Sequence, residues 1–358
     1  MRGTATTAAT FAVLTLAIGE TLAADAVGAS RAGCDDADAA CLDTVQVTAT
    51  KRPESTLHIP AATTIVGGER LREAAPQTPM DALHGEVGTF VQQTTPGQGV
   101  VIVRGLKGSE VLHLVDGFRL NNAIFRNAPN QYIALVDGQN IDRIEVVRGP
   151  SSTLYGGDAM GGVVQMLTPE IDFDGNDWQW DGRLRAIAAS ADDSLIGRAQ
   201  VKGGREGVGF SLGLTSQEVN DLRAGDGRTR PFTGFTQRSA DFKWQADIAP
   251  GHELMLSLQF SEQPRTPRHD ALVPGFGQTA PENAVFFFEP QQRRFAQLRW
   301  RIDGPNRMFD NAEFHVRSWS TIAGCATPVR RTSTASATAM PPQASRASSA
   351  RTSAVSIT

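Results

Sequence analysis

The stretch VVRGPSSTLYGGDAMGGVVQMLT, from Val146 to Thr168, gathers residues that could do chemistry. Gly149, Gly156, Gly157, Gly161 and Gly162 alternate there with serines and an aspartate, between two apolar runs. A glycine-rich loop can cradle phosphate through its backbone N–H groups, but the phosphate loop also needs a lysine and a hydroxyl straight after the last glycine. Val163 and Val164 occupy those places. A dinucleotide-binding turn would open a long helix, whereas GVVQMLT reads as a strand. The glycines serve tight turns and close backbone approach, and the phosphate-using enzyme is set aside.

No other group restores an enzyme. His58, His84, His113, His252, His269 and His315 are scattered, with no nucleophile–base pair among them. His113 stands mid-strand in VLHLVDG and reads as a packed side chain. His269, in the long loop PRTPRHDALVPGFGQ, is better placed to meet a ligand from outside. Asp116-Gly117 and Asp137-Gly138 are turn chemistry. Cys34 and Cys41 bracket DDADAA, a spacing that allows a small disulfide loop in an oxidising compartment, and Cys325 is left over. No cofactor is called for.

The elements that carry these residues fall into segments. Residues 1–23 read as an export signal: Arg2 precedes the short apolar run AATFAVLTLAIGETLA, with small residues suited to cleavage after Ala23 or Ala24. Residues 24–56 are polar and flexible, except for the alternating run DTVQVTAT, whose strand has no local partner and could add to another protein's sheet edge. Residues 57–170 form a compact α+β unit. ERLREA and PMDALHGEV carry helix character, and VVIVRG, VLHLVDG, IDRIEVVRG and GVVQMLT are short β runs closed by turns.

Residues 171–324 change character. VGFSLGLT, ELMLSLQF and FAQLRWRI alternate apolar and polar residues, and about seven such strands are expected. Large charged residues on the polar face, and turns alternating between short and long, favour a membrane barrel over a soluble sandwich. Residues 325–358 lack Gly, Asp, Glu, Leu, Lys and every aromatic residue. They read as a low-complexity, disordered tail, either a linker or a gene end translated out of frame. Across 358 residues the net charge is −4 and only 20% of residues are charged, which argues against nucleic acid. Thirty-five glycines suit a β-rich chain.

The ordered series VIVRGL, VLHLVDGFRLNN and IDRIEVVRGPSSTLYGGDAMGGVVQMLTPE resembles the plug domain of TonB-dependent outer-membrane receptors, and DTVQVTAT resembles their TonB box. The resemblance implies an α+β plug followed by antiparallel transmembrane β-barrel strands, here a partial barrel. It implies a non-enzymatic receptor for a scarce metal complex, a ferric siderophore, haem or cobalamin, in outer-membrane lipid. Asp43, Thr44, Val45, Gln46, Val47, Thr48 and Ala49 would meet TonB, whose energised movement unseats the plug. Arg104 and Arg148 match the arginines that pair with glutamates of the inner barrel wall. Gln92 and Gln93, with Phe125, Arg126, Asn127 and Asn130, match places where related plugs meet ligand. With about seven strands the wall would not close, so a truncated, non-transporting form is expected. The alternative is a stand-alone periplasmic binding protein made of the plug unit.

Overall fold

The computed structural model describes residues 45–46, 48–51, 54–56, 58–120, 132–281, 283–304, 311–325, 329–330 and 348–357. The expected signal segment, Cys34, Cys41, Asp43, Thr44, Val47, Phe125, Arg126, Asn127 and Asn130 lie outside them.

Two short strands come first, β1 (Val45–Gln46) and β2 (Glu54–Ser55), paired antiparallel. The run ATTIV forms β3 (Ala62–Val66), and helix α1 (Gly68–Ala74) follows, burying only Leu71. A meander of β4 (Thr89–Thr95), β5 (Gln98–Val103) and β6 (Leu106–Lys107) makes one small sheet. Next come β7 (Val111–Val115), β8 (Phe118–Arg119), β9 (Arg143–Arg148), the four-residue helix α2 (Ser152–Tyr155) and β10 (Gly162–Leu167). They form a five-stranded sheet of order β3-β9-β10-β7-β8, in which only β7 and β10 run parallel.

VLHLV, RIEVV and GVVQM become central strands because both of their faces can be buried. On one face Val111, Val115, Ile144, Val146, Val164 and Met166 pack with Leu71, Met80 and Leu83. On the other, Leu112, Leu114, Val147 and Val163 pack with Ala49 and Tyr155. The expected helix in PMDALHGEV is only a 3-10 turn, Asp81–Leu83. Asp81 accepts hydrogen bonds from Thr78 N and Oγ1 at 2.8 and 3.0 Å, and Gly85 then leaves at φ 81°, so the turn closes before a second one can form.

The wall follows. β11 (Gln179–Ala189), β12 (Ser194–Arg205), β13 (Val208–Val219), β14 (Phe235–Ala249) and β15 (His252–Gln263) pair in sequence, each antiparallel to the last. The connection after β15 folds into β16 (Thr266–Pro267), helix α3 (His269–Leu272) and β17 (Asn283–Val285). β18 (Phe287–Asp303) and β19 (Asn311–Cys325) complete seven long antiparallel strands. Their outward face exposes Leu212, Leu214, Leu258, Leu298, Trp300 and Val316. The alternate residues, among them Met255, Ser257, Ser261, Arg293 and Gln297, are buried against the plug side. Among the described residues no helix is long and apolar enough to cross a membrane, which does not bear on crossing by strands.

The tail differs from its expectation at two places, β20 (Val329–Arg330) and β21 (Ser348–Ile357). β21 pairs antiparallel with β19. A free strand edge offers a row of backbone donors and acceptors, and β21 takes up that edge of β19.

Candidate functional site

The glycine-rich loop closes on itself. Gly149 N donates to Gly161 O and Ser151 N to Ala159 O, both at 2.9 Å, and Gly161 N reaches Glu110 O at 2.9 Å. These donors are spent inside the plug. The turn carbonyls are held by Arg119, whose Nη2 donates to Tyr155 O at 2.9 Å and Gly157 O at 3.0 Å while Nη1 meets Asp158 at 3.1 Å. Gly161 is required by space: a Cβ there would stand 2.8 Å from Leu106 Cβ and 2.9 Å from Val103 O. The consequence is positional, since the loop presents the Tyr155 ring at the second face of the sheet.

That face carries the N-terminal segment. Thr48 is fully buried, and its N and Oγ1 both donate to Glu145 Oε2, at 2.9 and 2.5 Å. Tyr155 OH donates to Thr48 O at 2.6 Å, and Lys51 lies over the Tyr155 ring at 4.9 Å. Glu145 is fully buried, and Arg143 Nε reaches its other oxygen at 2.9 Å. Strand alternation explains the placement. Ile144 and Val146 point into the first core, so Glu145 points to the face where Thr48 sits. A charge-assisted hydrogen bond contributes about 1.5–3 kcal/mol. The Glu145–Tyr155 pair is therefore the anchor of residues 48–51.

Burial, reinforced by the neighbouring Glu145 charge, pushes the Tyr155 phenol from 10.0 up to about 12. A raised folded value means that the contribution is complete below the unfolded value and is lost as pH rises through the folded one. Tyr155 should thus hold Thr48 throughout the neutral range and release it only near pH 12. The chain has only two tyrosines, so the tyrosinate absorbance of the wild type minus that of Tyr155→Phe isolates this group. An ordinary midpoint in the difference titration would refute the arrangement.

A second polar cluster seats the plug on the wall. Arg198 on β12 donates through Nη1 to Asp137 at 3.2 Å and to Asp241 on β14 at 2.8 Å, and through Nη2 to Asn140 at 2.9 Å. Thr215 Oγ1 adds a 2.7 Å bond to Asp137. The Arg198, Asp137 and Asp241 side chains are only 6%, 12% and 11% exposed. Desolvation raises the Asp137 carboxyl above its ordinary range, opposed by Arg198. Lys243 to Thr168 at 2.6 Å, Gln259 to Asp116 at 3.3 Å and the Phe118–Phe295 ring contact at 5.5 Å extend the seat.

Arg104 and Arg148 are placed differently from that seat. Arg148 donates to the carbonyls of Val87 and Thr63, inside the plug. Arg104, at φ 51°, lies exposed over Gly149, and among the described residues neither arginine pairs with a wall glutamate. Gln93 is engaged within the plug, donating to Asp81 at 2.7 Å and facing His84 at 3.1 Å, whereas Gln92 is exposed. The hairpin tip beyond them is covered: Gln98 donates to Pro267 O at 2.9 Å, and Phe235 packs against Gly97. His269 lies on that covering connection, its Nδ1 3.0 Å from Pro231 O. Thr48 and Ala49 of the expected box face the plug, and the backbone of Val45 and Gln46 pairs with β2. Sequence reasoning missed Glu145, Tyr155, Arg198 and Asp137. The one local signal for them was a charged residue inside the apolar run RIEVV.

Comparison with known proteins places this architecture. Residues 55–163 match the family described as TonB-dependent Receptor Plug Domain. The vitamin B12 transporter BtuB of Vibrio vulnificus (strain CMCP6) is 34% identical over 129 residues, 35% of this chain and 20% of that protein. The hemin receptor of Yersinia pestis is 28% identical over 280 residues, 76% of this chain and 40% of that protein. Among solved structures, the Serratia marcescens hemophore receptor HasR, in complex with its hemophore HasA and heme, superposes with a TM-score of 0.61 at 16% identity, over 74% of this chain and 38% of its own. The ferric-catecholate import receptor Fiu from E. coli K12 gives a TM-score of 0.59 at 17% identity, over 88% and 47%.

The class follows for the part that matches: residues 55–163 are a TonB-dependent receptor plug domain, and the antiparallel wall that continues it shares the fold of the solved receptors. The chain spans a fifth to two fifths of the length of these curated relatives.

Proposed function

We propose that the chain is the plug and adjoining wall of an outer-membrane receptor that takes up a scarce metal complex, a ferric siderophore, haem or cobalamin, using energy delivered by TonB. The supporting observation is the contrast between two attachments. The plug is seated on the wall by Arg198, Lys243 and Gln259, whereas residues 48–51 are held to the plug by Glu145 and Tyr155. A segment held on a face of the plug separate from the seat can leave while the seat persists, and a freed strand can pair with a partner's sheet edge. The relatives named for vitamin B12, hemin and ferric-catecholate support a metal-complex substrate.

The test uses the full chain and the periplasmic domain of TonB. Val45→Pro removes a backbone donor from the strand and should weaken binding at least tenfold in titration calorimetry. Unchanged binding would remove Asp43–Ala49 as the contact. The stand-alone periplasmic alternative predicts release of the chain by osmotic shock, and the receptor predicts extraction only by detergent.

A further inference from the structure

A groove lies on the outward face of the wall. It measures about 730 Å³ and crosses β11 to β15, lined by Leu184, Ala186, Ala199, Leu214, Ala240 and Phe260. Its floor is deep because Gly197 lies there: a Cβ at that position would meet nothing within 4 Å. A volume of this size falls in the ~300–1,000 Å³ range of sites that enclose small ligands.

Charge marks one end of the groove. Arg238 lines it, is exposed, and has no hydrogen-bond or ion-pair partner among the described residues. Arg294 is also exposed, with its guanidinium carbon 6.0 Å from the Phe260 ring centroid and a single 3.2 Å bond to Gln292. Glu262, opposite Arg238 in register, is engaged by Gln292 at 2.8 Å instead. Beyond the arginines, toward the long connections, the outward residues become polar. At the other end of the apolar band stand the aromatic residues Trp180, Phe210, Trp300 and Phe314. An aromatic girdle marks a membrane–water boundary, and exposed arginines on a strand wall mark the level of anionic headgroups.

We propose that this groove binds one phosphorylated lipid of the surrounding membrane. An acyl chain lies over Gly197 between Leu184 and Phe260, and Arg238 and Arg294 share the headgroup phosphate. The proposal rests on the membrane reading of the wall. It adds a lipid site on the face opposite the transported ligand.

The experiment takes the full chain, extracted and delipidated in dodecyl maltoside, and titrates it with mixed micelles of phosphatidic acid or phosphatidylcholine. Retained lipid is counted by native mass spectrometry. The wild type should retain one phosphatidic acid at concentrations at least tenfold below those needed for phosphatidylcholine. Arg238→Gln with Arg294→Gln should abolish that preference, and Gly197→Leu, which fills the groove, should reduce retention of both lipids. Equal retention by the arginine double variant and the wild type would overturn the site. Complete displacement by millimolar inorganic phosphate would overturn it too, by showing an anion site without a place for the chain. Recovery of the chain without detergent would overturn both this site and the membrane reading, whereas failed lipid selectivity in a detergent-extracted chain overturns this site alone.

Discussion

Replacing Arg198 with methionine is expected to loosen the plug's seat more than any other single change in the polar interface. The guanidinium joins a plug carboxylate, Asp137, to a wall carboxylate, Asp241, and also holds Asn140. Removing one member of a buried ionic group leaves the others charged and desolvated, at a cost of about 3–5 kcal/mol. At about 1.4 kcal/mol per tenfold, amide exchange across residues 137–141 should accelerate by roughly a hundredfold to a few thousandfold. Asp137→Asn should be milder, because burial already disfavours its charged form. Combining Arg198→Met with Asp137→Asn and Asp241→Asn should restore much of the protection. Hydrogen exchange followed by mass spectrometry reads all of these, and unchanged protection in Arg198→Met would show that the seat is carried elsewhere.

The second large effect is expected at Glu145. Glu145→Leu leaves Thr48 N and Oγ1 without this acceptor and Arg143 with only the more distant Asp142 carboxylate, at 3.8 Å. Two charge-assisted bonds at about 1.5–3 kcal/mol each predict at least a hundredfold faster exchange at residues 48–51. The central strands should keep their protection, because Ile144, Val146, Val164 and Met166 lie on the other face. Tyr155→Phe, which loses one neutral bond of about 1 kcal/mol, should give a change near fivefold. Equal acceleration over the whole plug would mean that Glu145 supports the sheet and not the N-terminal segment. A spin label at Val45 offers an independent readout, with increased mobility expected in Glu145→Leu.

Much of this architecture was legible in the sequence. The wall was legible because alternation is a local property: ELMLSLQF sets its leucines outward and Met255 and Ser257 inward whatever its neighbours are. The glycine turns were legible because a missing Cβ permits the positive φ found at Gly149 and Gly156. The anchors were not. Glu145 and Thr48 are 97 positions apart, and Arg198 is 61 positions from Asp137 and 43 from Asp241. Nothing local tells a buried, paired charge from a solvated one. Arg104 and Arg148 were placed by likeness to a motif, and the structure gives Arg148 to the carbonyls of Val87 and Thr63. PMDALHGEV misled for a related reason, since Asp81 suits the start of a helix and Gly85 ends the turn before a helix can grow.

The order β3-β9-β10-β7-β8 also determines how the plug bears load. Once Thr48 has left Glu145 on β9, tension passing along the chain reaches β3, an outermost strand with β9 as its single neighbour. It can be peeled off while the β9–β10 and β10–β7 ladders stay closed. The helix behind it, with Leu71 as its one buried side chain, adds little resistance. Traction would therefore open a margin of the plug before its centre yields, and on relaxation the intact four-stranded remainder is the template on which Ala62–Val66 re-registers.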